Sequence, residues 1–269
     1  MKLRPSRILR ELRDGQNSTV LKLNMNDPRI VELAGLAGAS AVWLCNEHVP
    51  NDWLNMEHQI RAAKLYDMDT IVRVNKAGYS DYIKPFECDA TGIMVPHVSS
   101  ADEARRIVDM VRCQPLGNKA LDAGNMDGLF CQVSLADYAH HCNTEKFVIL
   151  QIESPEALEQ VDEIAAVPGF DMLLFGAGDF SHRIGKLGQA THPDVVAARK
   201  KVAAAALKHG KYPAVASLYG QKAEVIAEGT RIFTLGADVL ELGGDFKKLV
   251  GDFVGTTAGV ASDSIYQSK

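Results

Sequence analysis

The stretch that decides the fold is FVILQIESPEALEQVDEIAAVPGFDMLLFGAGDF, residues 147–180. It contains two short apolar runs, Phe147–Ile152 and Asp171–Phe175, separated by a more polar segment. Ser154 followed by Pro155 is typical of a helix start, because serine caps the first turn and proline fits the first helical position. Both runs are continuous rather than alternating, as in strands that are covered on both faces. The stretch therefore predicts a strand–helix–strand unit of a parallel α/β fold.

The same unit recurs along the chain. Short runs rich in Val, Ile and Leu predict eight strands: Ser18–Leu23, Ala41–Cys45, Thr70–Val74, Gly92–Val95, Phe147–Ile152, Asp171–Phe175, Pro213–Ser217 and Val239–Leu242. Helix-start signals follow several of them, at Asp27-Pro28, Ser100, Ser154-Pro155 and His192-Pro193. Eight strands that alternate with helices favour a closed (β/α)8 barrel, the TIM barrel, over an open sheet.

The chain length fits one such domain. A (β/α)8 barrel takes about 250 residues, so we expect residues 1–269 to form a single domain. The segment of about 245–269 follows the last predicted strand, and we expect it to be available for packing on a neighbouring subunit. Hydrophobic residues make up 46% and charged residues 23% of the chain, as in globular proteins.

Charge and hydropathy exclude several classes of protein. The net charge of −5 speaks against a general nucleic-acid binder, which carries a basic excess. No apolar run reaches the roughly 18 residues of a membrane span, and residues 1–16 lack the apolar core of a signal peptide. The 5 cysteines are odd in number and show no CxxC spacing, which indicates reduced thiols. We therefore expect a cytoplasmic protein with neither nucleic acid nor membrane as partner.

Polar residues follow the predicted strands at the end where barrel enzymes carry out their chemistry. In chain order these residues are Glu47 and His48, Arg73, His97, Gln151 and Glu153, Asp179, Ser217, and Gly243-Gly244-Asp245. Because the carboxyl ends of parallel strands meet on one rim, we expect an acid pair, an arginine and a histidine to converge there. His97 is the weaker of the two histidine candidates.

Glu153 and Asp179 form the central pair of this rim. A carboxylate just past an apolar strand is costly to desolvate, and two at one barrel mouth repel each other unless a cation neutralises them. Two carboxylates suit Mg²⁺ or Mn²⁺, with water and substrate as the other ligands. The alternative interpretation is that each acid merely caps or flanks the helix that follows it.

Arg73 and His48 have both a chemical and a structural interpretation. An arginine in a barrel mouth indicates an anion or a developing oxyanion nearby, although a salt bridge to Glu47 or Asp179 would also explain it. A histidine beside a metal site can serve as acid or base, although it can also be an ordinary loop residue. We find no lysine at a strand end beside the metal pair, which makes a Schiff-base route less attractive.

The ordered set of motifs resembles the HpcH/HpaI aldolase family, the metal-dependent class II pyruvate aldolases. The matching pieces are Glu47-His48-Val49-Pro50, Val72-Arg73, Met94-Val95-Pro96, Ser100 to Ala104, Gln151-Ile152-Glu153 and Gly176 to Ser181. They extend over roughly residues 18–242. The resemblance implies a barrel of the phosphoenolpyruvate/pyruvate-domain type, whose eighth helix is often exchanged between subunits of a hexamer, a trimer of dimers.

The resemblance also implies roles for individual residues. Glu153 and Asp179 would bind Mg²⁺, Mn²⁺ or Co²⁺, and Arg73 would stabilise the enolate oxygen of pyruvate. Backbone N–H groups of Gly178 and Asp179 would hold the substrate carboxylate, with Gln151 near the metal waters. His48 would transfer protons, oriented by an acid at the position of Glu87. We add Ser217, at the end of the seventh predicted strand, as a substrate contact.

The implied reaction is cleavage of a 4-hydroxy-2-oxo acid to pyruvate, or a related 2-oxo acid, and an aldehyde. Two departures concern the second reactant: Cys45-Asn46 replaces the family's Asp-Gly before Glu-His, and Asn118-Lys119 replaces a segment with Arg-Gly. Related enolate chemistry, such as oxaloacetate decarboxylation or acyl condensation, therefore remains an alternative. A non-catalytic protein that binds metal and a keto acid is another.

Overall fold

In a computed structural model, which describes residues 2–255, eight parallel strands close into a barrel in chain order. The strands are β1 Ser18–Lys22, β2 Ala41–Cys45, β3 Asp69–Arg73, β4 Gly92–Val95, β5 Phe147–Ile152, β6 Met172–Phe175, β7 Tyr212–Val215 and β8 Ile232–Ala237. Each strand pairs with the next, and β8 pairs with β1. The prediction of a (β/α)8 barrel is confirmed.

Helices cover the outside of the barrel. They are α1 Arg7–Arg13, α2 Pro28–Leu36, α3 Trp53–Lys64, α4 Tyr79–Glu87, α5 Ala101–Val111, α6 Leu135–Thr144, α7 Pro155–Glu159, α8 Val161–Ala165, α9 Ala177–Arg183, α10 Pro193–Lys208, α11 Lys222–Ala227 and α12 Asp238–Val254. The predicted helix starts are confirmed, because Asp27, Ser100, Ser154 and His192 each cap a helix with a side-chain acceptor. A single 3-10 turn, Met126–Gly128, interrupts the long connection from α5 to α6.

Alternation along the strands sorts their side chains into two buried layers. One layer fills the barrel interior, with Trp43, Ile71, Met94 and Ile149 among its members. The other lies between strands and helices. At the amino-terminal end of the barrel, α1 adds its buried apolar side chains to the interior layer. Side chains two residues apart on a strand share a face. At the carboxyl-terminal end of the barrel, the inward-facing positions are therefore found among the last residues of the strands.

One of the eight predicted strands was wrong. The run Val239–Leu242 lies in α12, and the eighth strand is Ile232–Ala237. The strand contains Thr234 and Gly236, which break up its apolar pattern, whereas the more apolar run after it lies in a helix. The segment Gly243-Gly244-Asp245 is therefore helical as well and does not belong to the rim.

The last helix, α12, extends from the barrel with most of its surface exposed. Only Asp238 and Gly251 are buried in it. The predicted segment 245–269 lies partly in this helix, and its residues 256–269 lie outside the described part of the chain. Within residues 2–255, no helix is both long enough and apolar enough to cross a membrane.

Candidate active site

The Glu153 carboxylate lies directly after β5, at the carboxyl-terminal rim of the barrel, and is only 1% exposed. Its Oε1 accepts the backbone N–H of His97 at 2.7 Å, and its Oε2 accepts a hydrogen bond from the side-chain amide of Gln151. The other amide atom, Gln151 Oε1, is buried and has no hydrogen-bond partner. The rim therefore holds a carboxylate and an orphaned oxygen acceptor side by side.

A glycine makes room for this pair. A Cβ placed on Gly176 would lie 2.6 Å from Glu153 Oε2 and 2.9 Å from Gln151 Nε2, distances at which a neighbour must move. Gly176 is also the residue before α9, so Gly178 and Asp179 lie in the first turn of that helix. Both are half-buried, and the Asp179 charge is close enough to raise the pKa of His97. The structure thus brings Glu153, Gln151 and Asp179 to one side of the rim.

Arg73, the last residue of β3, is 3% exposed and held on three sides. Its Nε lies 3.0 Å from Glu47 Oε2, and its Nε and Nη2 donate to Cys45 Sγ at 3.3 and 3.2 Å. Its guanidinium carbon lies 4.8 Å from the centroid of the Trp43 ring. The salt bridge to Glu47, one of the two structural interpretations from sequence, is therefore present. It fixes the guanidinium in the barrel mouth.

His97 joins the two sides of the rim and was undervalued from sequence. Its Nδ1 lies 2.8 Å from Glu153 Oε1, and its Nε2 lies 3.1 Å from Glu47 Oε1. These two carboxylates, with Asp179, raise the pKa of the imidazole. The residue has a φ of +54°, a backbone conformation that costs a non-glycine residue about 1 kcal/mol or more. Such a turn at a strand end cannot be inferred from composition.

His48 and Glu87 are not joined within the described chain. The His48 side chain is 60% exposed, and its Nε2 lies 3.6 Å from Glu47 Oε2. Glu87 ends α4, where burial raises its pKa and the nearby charges of Lys119 and Asp127 act on it in opposite directions. No hydrogen bond or ion pair connects it to His48 among residues 2–255. The orienting role of Glu87 therefore stays a prediction.

Lys119, a departure from the family pattern, is a buried structural residue. It is 5% exposed, and its Nζ donates to the Tyr138 hydroxyl at 2.9 Å. That hydroxyl in turn donates to Asp127 Oδ2 at 2.5 Å. The ammonium is thereby committed to a network beneath the loop between α5 and α6, and it does not face the rim carboxylates.

Ser217 lies two residues beyond the end of β7 and faces the helical layer. It lines a crevice of about 10 Å³ with Phe175 and Val195, a space that admits at most one water. Its neighbour Ala216 packs on the interior layer instead. A substrate contact for Ser217 stays a prediction.

A lysine that the sequence interpretation passed over lies inside the barrel. Lys22 is the last residue of β1 and is 2% exposed. Its ammonium donates to Asn24 Oδ1 and lies 5.9 Å from the Trp43 ring centroid. Lys22 therefore ends a strand, but it is across the barrel from Glu153 and does not lie beside the predicted metal pair. The feature of the sequence that indicates an inward orientation for Lys22 is its position two residues after the inward-facing Val20.

The rim residues form two adjoining regions. One is rich in acceptors, with Glu153, Asp179 and Gln151, and the other is rich in donors, with Arg73 and Lys22. Among residues 2–255, no three His, Cys, Asp or Glu side chains are grouped so as to bind a metal on their own. A cation bound by the acceptor region and the guanidinium of Arg73 could hold a small anion between them.

The chain is similar to proteins of one family over most of its length. Residues 18–242 match the family described as HpcH/HpaI aldolase/citrate lyase. The chain is 31% identical over 198 residues to a hydroxypyruvate/pyruvate aldolase of Pseudomonas aeruginosa. The aligned region covers 74% of each protein.

Two solved structures extend the similarity over nearly the whole chain. An HpcH/HpaI aldolase from Desulfitobacterium hafniense DCB-2 superposes with a TM-score of 0.85 at 26% identity, covering 95% of this chain and 99% of that one. The citrate synthase SbnG superposes with a TM-score of 0.81 at 28% identity, covering 91% and 95%. The chain therefore belongs to the HpcH/HpaI aldolase/citrate lyase family and is a carbon–carbon lyase.

Proposed function

We propose that the protein is a divalent-metal-dependent aldolase that cleaves a 4-hydroxy-2-oxo acid to pyruvate, or a related 2-oxo acid, and an aldehyde. The observation that carries the proposal is the 1% exposed carboxylate of Glu153 at the rim, beside a buried amide oxygen that has no partner. Buried charges and acceptors of this kind are retained where a cation or substrate completes them. The named aldolase of Pseudomonas aeruginosa supports pyruvate or hydroxypyruvate as the 2-oxo acid.

The donor set fits a hard divalent cation. Glu153 and Asp179 supply two carboxylates, and Mg²⁺ or Mn²⁺ typically takes one or two carboxylates with water and substrate as further ligands. Gln151 Oε1 is a further buried oxygen acceptor next to Glu153. Gly176 leaves the space that the Glu153 carboxylate occupies. When bound there, the metal would supply Lewis-acid polarisation of the 2-oxo group.

Arg73 supplies the fixed positive charge for the oxygen of the 2-oxo group. Its ion pair with Glu47 and its contacts with Cys45 and the Trp43 ring hold the guanidinium in one orientation. A preorganised donor stabilises the oxyanion that develops when the carbon–carbon bond breaks, without reorganisation during the step. Cys45 thus has a positioning role in place of the acid that the family carries there.

His48 lies at the solvent-facing mouth and is the residue we assign to proton transfer. Its 60% exposed imidazole can exchange protons with water and reach a substrate held deeper in the rim. To the backbone N–H groups of Gly178 and Asp179, in the first turn of α9, we assign the binding of the substrate carboxylate. Retro-aldol cleavage needs both elements, because the 4-hydroxyl loses a proton while the carboxylate stays bound.

Exchange of the pyruvate methyl protons with D2O, followed by NMR, tests this proposal directly. We expect Mn²⁺- or Mg²⁺-supplemented enzyme to catalyse exchange and exhaustive chelation to abolish it. Glu153→Gln should slow the exchange by at least about 100-fold and weaken Mn²⁺ binding in calorimetry. Asp162→Asn, which removes an exposed carboxylate that pairs with Lys208 on the helical surface, is the control. Full exchange after chelation, or borohydride trapping of a pyruvate adduct on Lys22, would overturn the metal-dependent mechanism.

A second candidate is condensation of the same enolate with an acyl group. It is favoured by the similarity to the citrate synthase SbnG over 91% of this chain. Product analysis separates the two reactions, because an aldolase converts pyruvate plus an aldehyde, whereas the alternative consumes oxaloacetate or an acyl thioester.

We also propose that α12 packs on a neighbouring subunit of a homo-oligomer. Its second half exposes an apolar stripe at helical spacing, formed by Phe246, Leu249, Val250, Phe253 and Val254. A largely apolar groove of about 210 Å³ lies between α2 and the start of α12, lined by Ile30 and Leu33 among others. Stripes of this kind mark interaction surfaces, and a copy of this chain offers both the stripe and the groove.

A further inference from the structure

We propose that Lys22 forms a subsite for a carboxylate carried by the aldehyde that the enzyme releases or adds. This inference rests on the proposed aldolase function and names the class of its second reactant: an anionic oxo acid rather than a neutral aldehyde.

The position of Lys22 places its charge in the barrel mouth. It is the last residue of β1 and pairs in register with Trp43, which faces the interior. Its ammonium bonds to Asn24, which follows β1, so the side chain extends toward the carboxyl-terminal rim. Strands that end in a buried cation are unusual, because desolvation of an ammonium is costly in an apolar interior.

Lys22 and Arg73 contact the same aromatic ring. The Lys22 ammonium lies 5.9 Å, and the Arg73 guanidinium carbon 4.8 Å, from the centroid of Trp43. The two cations therefore lie beside one ring at the barrel mouth, where like charges disfavour each other. Burial and the Arg73 charge both lower the pKa of Lys22, while Cys45 and Asp238 raise it. A carboxylate that enters between them would improve the electrostatics of both.

The topology separates Lys22 from the metal pair. In a closed barrel whose eight strands run in chain order, β1 lies opposite β5, and β3 lies between them. Glu153 follows β5, Arg73 ends β3 and Lys22 ends β1. A 2-oxo acid held at Glu153 and Asp179, with its oxo group toward Arg73, would leave the β1 side of the mouth for the molecule that its reacting carbon attacks. The second reactant then lies on the Lys22 side.

The test compares pairs of acceptors in which a carboxylate is replaced by a methyl group, and the ratio within each pair is followed from the wild type to the variants. Aldol synthesis is measured with pyruvate and either glyoxylate or acetaldehyde, and then with 4-oxobutanoate or butanal. We expect Lys22→Met to lower the ratio of kcat/KM for the anionic over the neutral acceptor by about 10- to 100-fold, the usual effect of a lost charged hydrogen bond. Lys22→Arg, which keeps the charge, should restore most of that ratio.

Lys211→Met is the matched control. Its ammonium is also partly buried against an aromatic ring, 4.3 Å from the centroid of Phe170, but it precedes β7 at the other end of the barrel. We expect this variant to keep the wild-type ratio. An equal loss for both acceptor classes in Lys22→Met, or a raised KM for pyruvate alone, would overturn the proposal, because Lys22 would then serve the fold or the donor.

Binding without turnover separates this inference from the proposed function. Calorimetry with Mn²⁺ and 4-oxobutanoate, which has no 2-oxo carboxylate to occupy the pyruvate site, should in the absence of pyruvate show binding that weakens at least about tenfold in Lys22→Met. If the wild type catalyses no aldol reaction but this loss is seen, the aldolase proposal fails and the subsite stands. If binding is unchanged in Lys22→Met, the subsite fails whatever the activity.

Discussion

The ion pair between Arg73 and Glu47 allows the stabilising and catalytic roles of one residue to be measured separately. Arg73 Nε lies 3.0 Å from Glu47 Oε2, and the two side chains are 4% and 14% exposed. At an effective dielectric constant of about 20, two unit charges at this distance attract by about 5 kcal/mol, before the cost of desolvation. Glu47 keeps His97 Nε2 at 3.1 Å when Arg73 is removed. We therefore expect Arg73→Met to lower the free energy of unfolding by about 3 kcal/mol, the lower end of the range for broken buried pairs.

A double-mutant cycle isolates the pair. If Glu47→Gln is added to Arg73→Met, no charge is left without its partner, and we expect a coupling free energy of about 2 kcal/mol in urea unfolding. Pyruvate proton exchange should behave differently. It should fall about 10²- to 10³-fold in Arg73→Met and stay low in the double variant, because the oxyanion donor is missing from both.

The pair formed by Arg199 and Glu228 is the control. It is bidentate, with distances of 2.9 and 2.8 Å, its side chains are 8% and 10% exposed, and it joins α10 to the end of α11 away from the rim. Its cycle should show a coupling of similar size without loss of exchange. A coupling below about 0.5 kcal/mol at Arg73, or recovery of exchange in the double variant, would refute the reasoning.

Three further predictions concern other parts of the molecule. Gly176→Ala should slow exchange about 10- to 100-fold, because its Cβ would displace Glu153, whereas Gly78→Ala, which faces open space, should not. Burial lowers the pKa of His141 from 6.5 to about 4, so protonation favours the unfolded chain: stability is full above pH 6.5 and falls by about 2–3 kcal/mol toward pH 4. Urea titrations between pH 6.5 and pH 4 should show a smaller loss of unfolding free energy in His141→Gln than in the wild type. The same dependence on pH in both proteins would contradict this assignment. Phe253→Glu and Leu249→Glu should lower the mass in light scattering if α12 is an interface, while the exposed Lys208→Glu should not.

The sequence was sufficient for the barrel because its strands are short, apolar and bounded by strong helix caps. Ala41–Cys45, Gly92–Val95 and Phe147–Ile152 were predicted with the observed bounds. The eighth strand was missed, because a barrel strand can tolerate Thr234 and Gly236 when its neighbours supply the pairing. The most apolar run nearby was therefore assigned to the strand, although it belongs to α12.

Rim positions can be predicted from the sequence where a residue belongs to a motif at a strand end, and are harder to predict where they depend on which face a strand presents. Glu153, Gln151 and Arg73 lie at the rim as expected, since each lies at or directly after the end of a strand. Ser217 lies one position after Ala216, which packs on the interior layer, and a shift of one position moves a side chain to the opposite face. Lys22 was overlooked because it faces the barrel interior although it is charged. In the run Ser18–Leu23 it resembles a polar interruption, and only its phase relative to Val20 shows that it faces inward.

Because a motif does not show which strand residues face the barrel interior, it predicts one half of the site better than the other. The proposed metal half is built from residues at or just beyond the strand ends, beside the backbone turns at Gly176 and His97. The proposed half for the second reactant is built from the inward ends of β1 and β2, where Lys22 lies beside the Trp43 ring and Cys45 ends the strand that carries that ring. A substitution there changes charge without changing the fold. We therefore expect relatives that use different acceptors to differ at these inward positions rather than at the carboxylates proposed to hold the metal.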